Sequence, residues 1–171
     1  MKKFSKTETP KFVAIVGLGN LLLGDEGFGI HVVRFLEEHF IFPPEIEPVD
    51  GGCLGLKLLD IMREKEGLIL IDVFLSQNNP PGTWKIFSWE ELKALSPANF
   101  VSAHQMGVRE ALFLAELQGL QPKFFRAYAI VPQEIGLGTQ LTQLLAAKVA
   151  PVGTSIVKDL QKLGFEIRRR R

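Results

Sequence analysis

Residues 12–29 read FVAIVGLGNLLLGDEGFG, an apolar run followed by a glycine-rich loop. The run from 12 to 16 closes on Gly17, which is typical of a buried β-strand. Beyond the loop, one set of residues recurs at helical spacing on an apolar face, namely Phe28, Val32, Phe35 and Leu36. A second set lies off that face, namely His31, Arg34, Glu37 and Glu38. The segment therefore predicts a strand, a loop and an amphipathic helix in that order.

Strand and helix patterns alternate through the rest of the chain. Further strands are predicted at residues 45–49, 67–71, 83–87 and 124–131. Helices are predicted around residues 54–62, 89–95, 102–115 and 137–163, the last interrupted at Pro151 and Gly153. Ser102-Ala103-His104-Gln105 has the form of a capping box, and Val108, Ala111, Leu112 and Ala115 follow on one face. This order favours an α/β fold with a mostly parallel twisted sheet and helices on both faces.

Length and composition narrow the class of protein. We expect one domain over residues 1–171, with a core at about 12–147, a flexible lead-in at 1–10 and a basic tail at 165–171 that is solvated and not needed for folding. Lys and Arg number 20 against 19 Asp and Glu, so nucleic-acid or membrane binding has no electrostatic support. The single cysteine excludes an internal disulfide. No apolar run reaches about 18 residues and no secretory signal is evident, which predicts a cytoplasmic protein.

The glycine-rich loop does not match the common nucleotide-binding motifs. Leu22 stands where a dinucleotide fingerprint requires its third glycine, although Asp50 partly imitates the ribose-binding acid. Asp25 and Glu26 place two negative charges where a phosphate-binding loop carries lysine. The Gly-Leu-Gly-Asn sequence also resembles peptidyl-tRNA hydrolase, but that family's continuation and its His-Asn pair are missing. It remains a weaker alternative.

Two carboxylates and a histidine are expected at one edge of the sheet. In parallel sheets, ligands bind beyond the carboxyl ends of the strands, where this sequence places Glu26, Asp72 and the region of His104. Asp25 and Glu26 lie beside a helix start, where a carboxylate is ordinarily explained by helix capping, and for Asp25 we expect a cap worth about 1 kcal/mol. Asp72, however, directly follows an apolar strand and needs a partner. A first-turn histidine favours neutral imidazole, so the three residues predict a site for nickel, zinc or a similar ion.

The motifs together resemble the hydrogenase maturation endopeptidases. The match begins with residues 17–29 and continues with Asp50-Gly51-Gly52, Ile71-Asp72 and Ser102-Ala103-His104-Gln105. It ends with Ile130-Val131-Pro132 and Gly138-Thr139-Gln140-Leu141-Thr142, so that it covers residues 12–147. Three differences concern substrate preference: Cys53 replaces a common threonine, Glu134 lies in a variable loop, and the basic tail has no counterpart.

The resemblance implies a function and a set of site residues. Members of that family remove a short C-terminal extension from the precursor of a nickel–iron hydrogenase large subunit after nickel insertion. The family's metal contacts fall on Glu26, Asp72 and His104, which the resemblance also makes the catalytic residues. Asn20, Asp50 and Gly51 are expected to support the site or contact the substrate. Nickel would come with the substrate, zinc or cadmium would replace it in vitro, and the protein is expected to be a monomer.

Two other interpretations use the same residues. A nickel chaperone would bind the metal through Glu26, Asp72 and His104 without cleaving anything. A thiol protease would use Cys53 as its nucleophile and His104 as its base. Asp50 is left with two explanations, orientation of a ligand or capping of the following helix.

Overall fold

Apolar strands form a central sheet in the computed structural model, which describes residues 9–100 and 103–171. The described part of the chain contains seven strands: β1 (Val13–Leu18), β2 (Phe40–Ile41), β3 (Ile46–Gly52), β4 (Gly67–Val73), β5 (Trp84–Phe87), β6 (Phe124–Ile130) and β7 (Arg168–Arg169). Five of them form the main sheet in the order β3-β1-β4-β6-β5. Only β5 runs antiparallel, at the edge, and this confirms the predicted mostly parallel sheet.

Five α-helices connect the strands within the described residues: α1 (Phe28–His39), α2 (Leu58–Glu64), α3 (Trp89–Lys93), α4 (Ala103–Leu117) and α5 (Gln143–Lys162). Helices α1 and α5 pack on one face of the sheet, against alternate strand residues that include Val13, Ile15 and Ile69. Helices α2, α3 and α4 cover the other face, against Ala14 and Leu68. Both faces are therefore buried, as their continuous apolar runs predict.

Helix α1 begins directly against the ends of two strands. A Cβ atom on Gly29 would lie 2.2 Å from the carbonyl oxygen of Ile71 and 2.4 Å from that of Leu18. A Cβ on Gly17 would in turn lie 2.2 Å from the carbonyl oxygen of Gly29. Only glycine allows this approach. The contact brings the loop before α1 to the carboxyl ends of β1 and β4.

Three details differ from the predictions. Helix α5 begins at Gln143 rather than at 137, because the Thr142 hydroxyl accepts a hydrogen bond from the N–H of Leu145 and caps it. It continues through Pro151 and Gly153, whose missing side chain makes room for Phe35 of α1. The basic tail is not simply a solvated terminus, since β7 pairs with β2 and Ile167 is buried in the core.

Candidate metal and active site

Glu26 lies in a tight turn between β1 and α1. Residues Asp25–Gly27 form one turn of 3₁₀ helix, which Gly24 enters with a positive φ of 57°. The Glu26 side chain is 1% exposed. Its N–H donates to the carbonyl oxygen of Leu23 at 3.3 Å. A carboxylate is thus held at the carboxyl edge of the sheet by the backbone of the turn.

Asp72 is the second carboxylate at this edge. It is the penultimate residue of β4, one position beyond Ile71, whose carbonyl meets Gly29 of α1. Its Oδ1 atom accepts a hydrogen bond from the N–H of Val73 at 2.7 Å. The side chain is half-buried, so it remains accessible from the edge of the sheet.

Glu26 and Asp72 both lie near the thiol of Cys53. Cys53 is exposed, but partial desolvation of its thiol raises the pKa above its ordinary value, and the negative charges of Glu26 and Asp72 raise it further. The thiol lies 3.6 Å from the carbonyl oxygen of Gly19 in the glycine-rich loop. Two residues that are 46 positions apart (72 − 26) therefore act on one neighbouring group.

Helix α4 begins beside the end of β4. Gln105 is buried, and its Nε2 donates to the carbonyl oxygen of Val73 at 2.6 Å. His104 precedes Gln105 in the first turn of α4, but its side chain lies outside the described residues, as does Ser102 of the predicted capping box. Among the side chains that are described, no three His, Cys, Asp or Glu residues are arranged to hold a metal ion.

The other three predicted residues have identifiable contacts. Asn20 accepts a hydrogen bond from the N–H of Leu22 at 2.9 Å and so braces the loop. Gly51 is a packing residue, since a Cβ there would lie 2.6 Å from Val16. Asp50 is exposed, accepts from the N–H of Gly52 at 3.2 Å and lies 3.6 Å from the guanidinium of Arg34.

Asp25 has a role that sequence reasoning missed. It was expected to cap the following helix, yet Gly27 occupies the N-cap position and no side chain caps there. Instead the fully buried Asp25 carboxylate accepts hydrogen bonds from the N–H groups of Gln133, Glu134 and Thr142, at 2.9, 3.0 and 2.8 Å. The Thr142 hydroxyl adds a fourth at 3.1 Å. The helix-capping prediction for Asp25 is therefore wrong, because the carboxylate binds a distant loop.

A small apolar cavity adjoins Asp72 on the α4 side. Its volume is about 40 Å³. The cavity is lined by Asp72, by Gln105 and by apolar side chains that include Leu70, Phe74 and Val108. The edge of the sheet thus offers both a carboxylate cluster and apolar space next to it.

A family model and a sequence relative identify the family to which this chain belongs. The family model described as hydrogenase maturation protease (HycI) matches residues 30–159. The chain is also 33% identical to the Hydrogenase 2 maturation protease of Escherichia coli strain K12, over 90% of this chain and 93% of that protein. The chain belongs to the hydrogenase maturation protease family.

Solved structures agree with this membership. The hydrogenase-maturating endopeptidase HybD from E. coli superposes with a TM-score of 0.87 at 33% identity, covering 93% of this chain and 98% of that one. The nickel–iron hydrogenase maturation protease HybD from Thermococcus kodakarensis gives 0.70 at 30% identity, covering 87% and 98%. This hydrogenase maturation protease is thus a hydrolase, an endopeptidase with the single-domain α/β fold of its relatives. None of the helices within residues 9–100 and 103–171 has the length and apolar character that a membrane span requires.

Proposed function

We propose that this hydrogenase maturation protease removes a C-terminal extension from the precursor of a nickel–iron hydrogenase large subunit after nickel insertion. In this proposal, nickel bound to the precursor is part of the substrate. Glu26, Asp72 and His104 contact that nickel and position the scissile peptide beside it. The supporting observation is the close approach of Gly29 to the carbonyl oxygens of Leu18 and Ile71, which brings the turn of Glu26 to the end of β4 beside Asp72. The first turn of α4 also lies against β4, through the hydrogen bond from Gln105 to Val73.

The donor set suits the proposed substrate. Carboxylate oxygens and a neutral imidazole are ligands that nickel and zinc accept. A divalent metal can polarise a carbonyl and lower the pKa of a bound water, which is the chemistry that amide hydrolysis needs. Because nickel arrives with the precursor, the enzyme supplies only part of its coordination. Zinc or cadmium is expected to replace nickel in vitro.

The fold would hold the Glu26 and Asp72 carboxylates in fixed orientations. Glu26 is fixed by its 3₁₀ turn, and Asp72 by its strand and by the N–H of Val73. A hydrogen-bonded carboxylate keeps its direction, which improves the geometry of any ion it contacts. Burial of Glu26 also reduces competition from water for its oxygens.

A nickel-binding chaperone is the competing function. The test is incubation of the purified protein with nickel-loaded and nickel-free precursor, followed by mass spectrometry of the precursor. We expect a mass loss at the C terminus only when nickel is present. Glu26→Gln and Asp72→Asn should abolish it, whereas Glu38→Gln, on the exposed face of α1, should not. Nickel binding without any mass loss would identify a chaperone instead.

We further propose that the protein acts as a monomer in the cytoplasm. Sedimentation velocity over a hundredfold range of concentration should give one species of 19.1 kDa. Fractionation of the native host should place the protein with other cytoplasmic enzymes. A concentration-dependent dimer or a membrane-associated pool would contradict this part of the proposal.

A further inference from the structure

Two loops near Glu26 expose large apolar side chains side by side. Leu22 is 63% exposed, Ile135 38% and Leu137 93%. We refer to these three residues as the two-loop patch. The loops are joined by backbone hydrogen bonds, from the N–H of Gly138 to Leu22 at 3.0 Å and from the N–H of Gly24 to Gly138 at 2.8 Å. Backbone bridges also pair Leu23 with Gly138 and Gly24 with Ile135.

Hydrogen bonds to Asp25 fix the position of the loop that carries Ile135 and Leu137. Asp25 binds the N–H groups at 133, 134 and 142, which brackets the segment carrying Ile135 and Leu137. Breaking the four hydrogen bonds of the fully buried Asp25 carboxylate is unfavourable, so the segment cannot readily turn Leu137 into the interior. Apolar side chains that a rigid backbone holds in solvent, in one contiguous group, mark an interaction surface.

The chemistry of the patch indicates what it binds. Residues 17–24 and 135–147 contain no charged side chain, and the exposed Glu134 borders the patch beside Ile135. Protein interfaces have such charge-poor centres, whereas nucleic acids and anionic membranes require basic ones. The patch also adjoins the site, because Gly138 pairs with Leu23, whose carbonyl accepts from the N–H of Glu26.

We propose that the two-loop patch docks an uncharged, apolar segment of the hydrogenase precursor beside the scissile bond. This inference rests on the proposed function and names the surface through which the substrate reaches the site. Docking there would align the precursor with Glu26 before the metal is engaged. The patch therefore contributes to substrate affinity and not to the chemical step.

The chain offers a matched control. Leu117 is 83% exposed, as prominently as the patch residues, but it lies at the end of α4. That end leads into β6, so it lies at the opposite edge of the sheet from Glu26. Phe113 and Leu114, one turn earlier on α4, are also exposed, so Leu117 resembles the patch residues in apolar exposure and differs from them in location.

The experiment compares the double variant Leu22→Ser/Leu137→Ser with Leu117→Ser. Processing of nickel-loaded precursor is measured over a range of precursor concentrations, with circular dichroism and nickel titration to confirm fold and metal binding. The double variant should raise KM about tenfold or more with kcat unchanged at saturation, because two apolar contacts are lost. Leu117→Ser should match the wild type. Equal KM values for the double variant and Leu117→Ser would overturn the proposal.

Two further measurements separate this inference from the proposed function. If the wild type does not cleave the precursor, the proposed function fails, and direct binding of the precursor to the wild type and the double variant tests the patch alone. An unchanged dissociation constant would then overturn docking. Sedimentation tests a second copy of this chain as the occupant: a dimer that the double variant abolishes, without a change in KM, would contradict docking of the precursor.

Discussion

The Asp25 carboxylate accepts a hydrogen bond from the N–H of Thr142 at 2.8 Å, across 117 residues of sequence. Thr142 is also the N-cap of α5. One buried side chain thus connects the turn that carries Glu26, the loop that carries Leu137 and the start of the longest helix. The geometry of the candidate site and the stability of the fold depend on the same group.

Asp25→Ala should lower the free energy of unfolding by about 3 kcal/mol, because it removes a fully buried carboxylate that accepts hydrogen bonds from three N–H groups and a hydroxyl. This replaces the value of about 1 kcal/mol expected of a helix cap. The control is Asp60→Ala, which removes only an exposed ion pair with Arg63 and should cost less than about 1 kcal/mol. Urea unfolding measures both. Equal costs would contradict the role given to Asp25.

Removal of residues 165–171 should destabilise the protein, which reverses the expectation that the basic tail is dispensable for folding. Ile167 is buried, Phe165 packs against the core, and β7 pairs with β2. We expect a loss of about 2–3 kcal/mol in thermal or urea unfolding, mostly from apolar burial. Arg168→Ala/Arg169→Ala, which keeps the backbone, should be nearly neutral because both side chains are exposed. A truncated protein as stable as the wild type would restore the original expectation.

His31 should make stability depend on pH near neutrality. Burial lowers the pKa of His31 below its ordinary 6.5, and the Arg34 charge lowers it further. As pH falls below about 6.5, the unfolded chain takes up this proton first, so the free energy of unfolding decreases. The N–H of Lys11 donates a hydrogen bond to the Glu66 carboxylate and lowers its pKa, and this stabilisation is lost only as pH falls below about 4.5.

The measurement is the urea midpoint of the wild type and His31→Gln between about pH 7.5 and 5.5. The wild-type midpoint should fall over this range, and the variant should fall less. Parallel curves for the two proteins would show that His31 does not carry the effect.

Cys53→Ala should leave processing nearly unchanged. Partial desolvation and the charges of Glu26 and Asp72 raise the pKa of the thiol, so it is protonated at neutral pH and is a poor nucleophile. The processing rate at pH 7 should stay within about twofold of the wild type. In addition, alkylation of Cys53 should be slower than that of a free thiol in solution. A loss of processing in a folded Cys53→Ala protein would favour a thiol protease.

Much of the fold follows from local patterns. The two central strands β1 and β4 are short apolar runs, and the inward face of α4 follows from four residues at helical spacing. The two-residue strands β2 and β7 have no such pattern, because two exposed or half-buried positions carry no periodicity. The start of α5 was misplaced because Leu137 and Leu141 continue the apolar spacing of the helix, although residues 137–142 are bound by tertiary hydrogen bonds.

Site residues could be predicted from the sequence where the order of strands and loops alone fixes their position. Asp72 follows from its position at the end of an apolar strand, and Glu26 from the loop after β1. Asp25 could not be assigned in this way, since a carboxylate before a helix ordinarily indicates a cap. Its partners lie more than 100 residues away in an irregular loop, and no periodic pattern predicts that contact.

Titration with nickel tests the central claim, that Glu26, Asp72 and His104 form one divalent-metal site. Calorimetry at pH 7.5 is performed on the wild type, Glu26→Gln, Asp72→Asn, His104→Ala and the control Glu38→Gln, with the wild type repeated at pH 5.5. We predict one site that each of the first three substitutions weakens at least about tenfold, and that weakens at low pH as imidazole is protonated. Glu38→Gln should bind as the wild type does. Unchanged nickel affinity in His104→Ala, or a site that persists in Glu26→Gln and Asp72→Asn, would contradict the account.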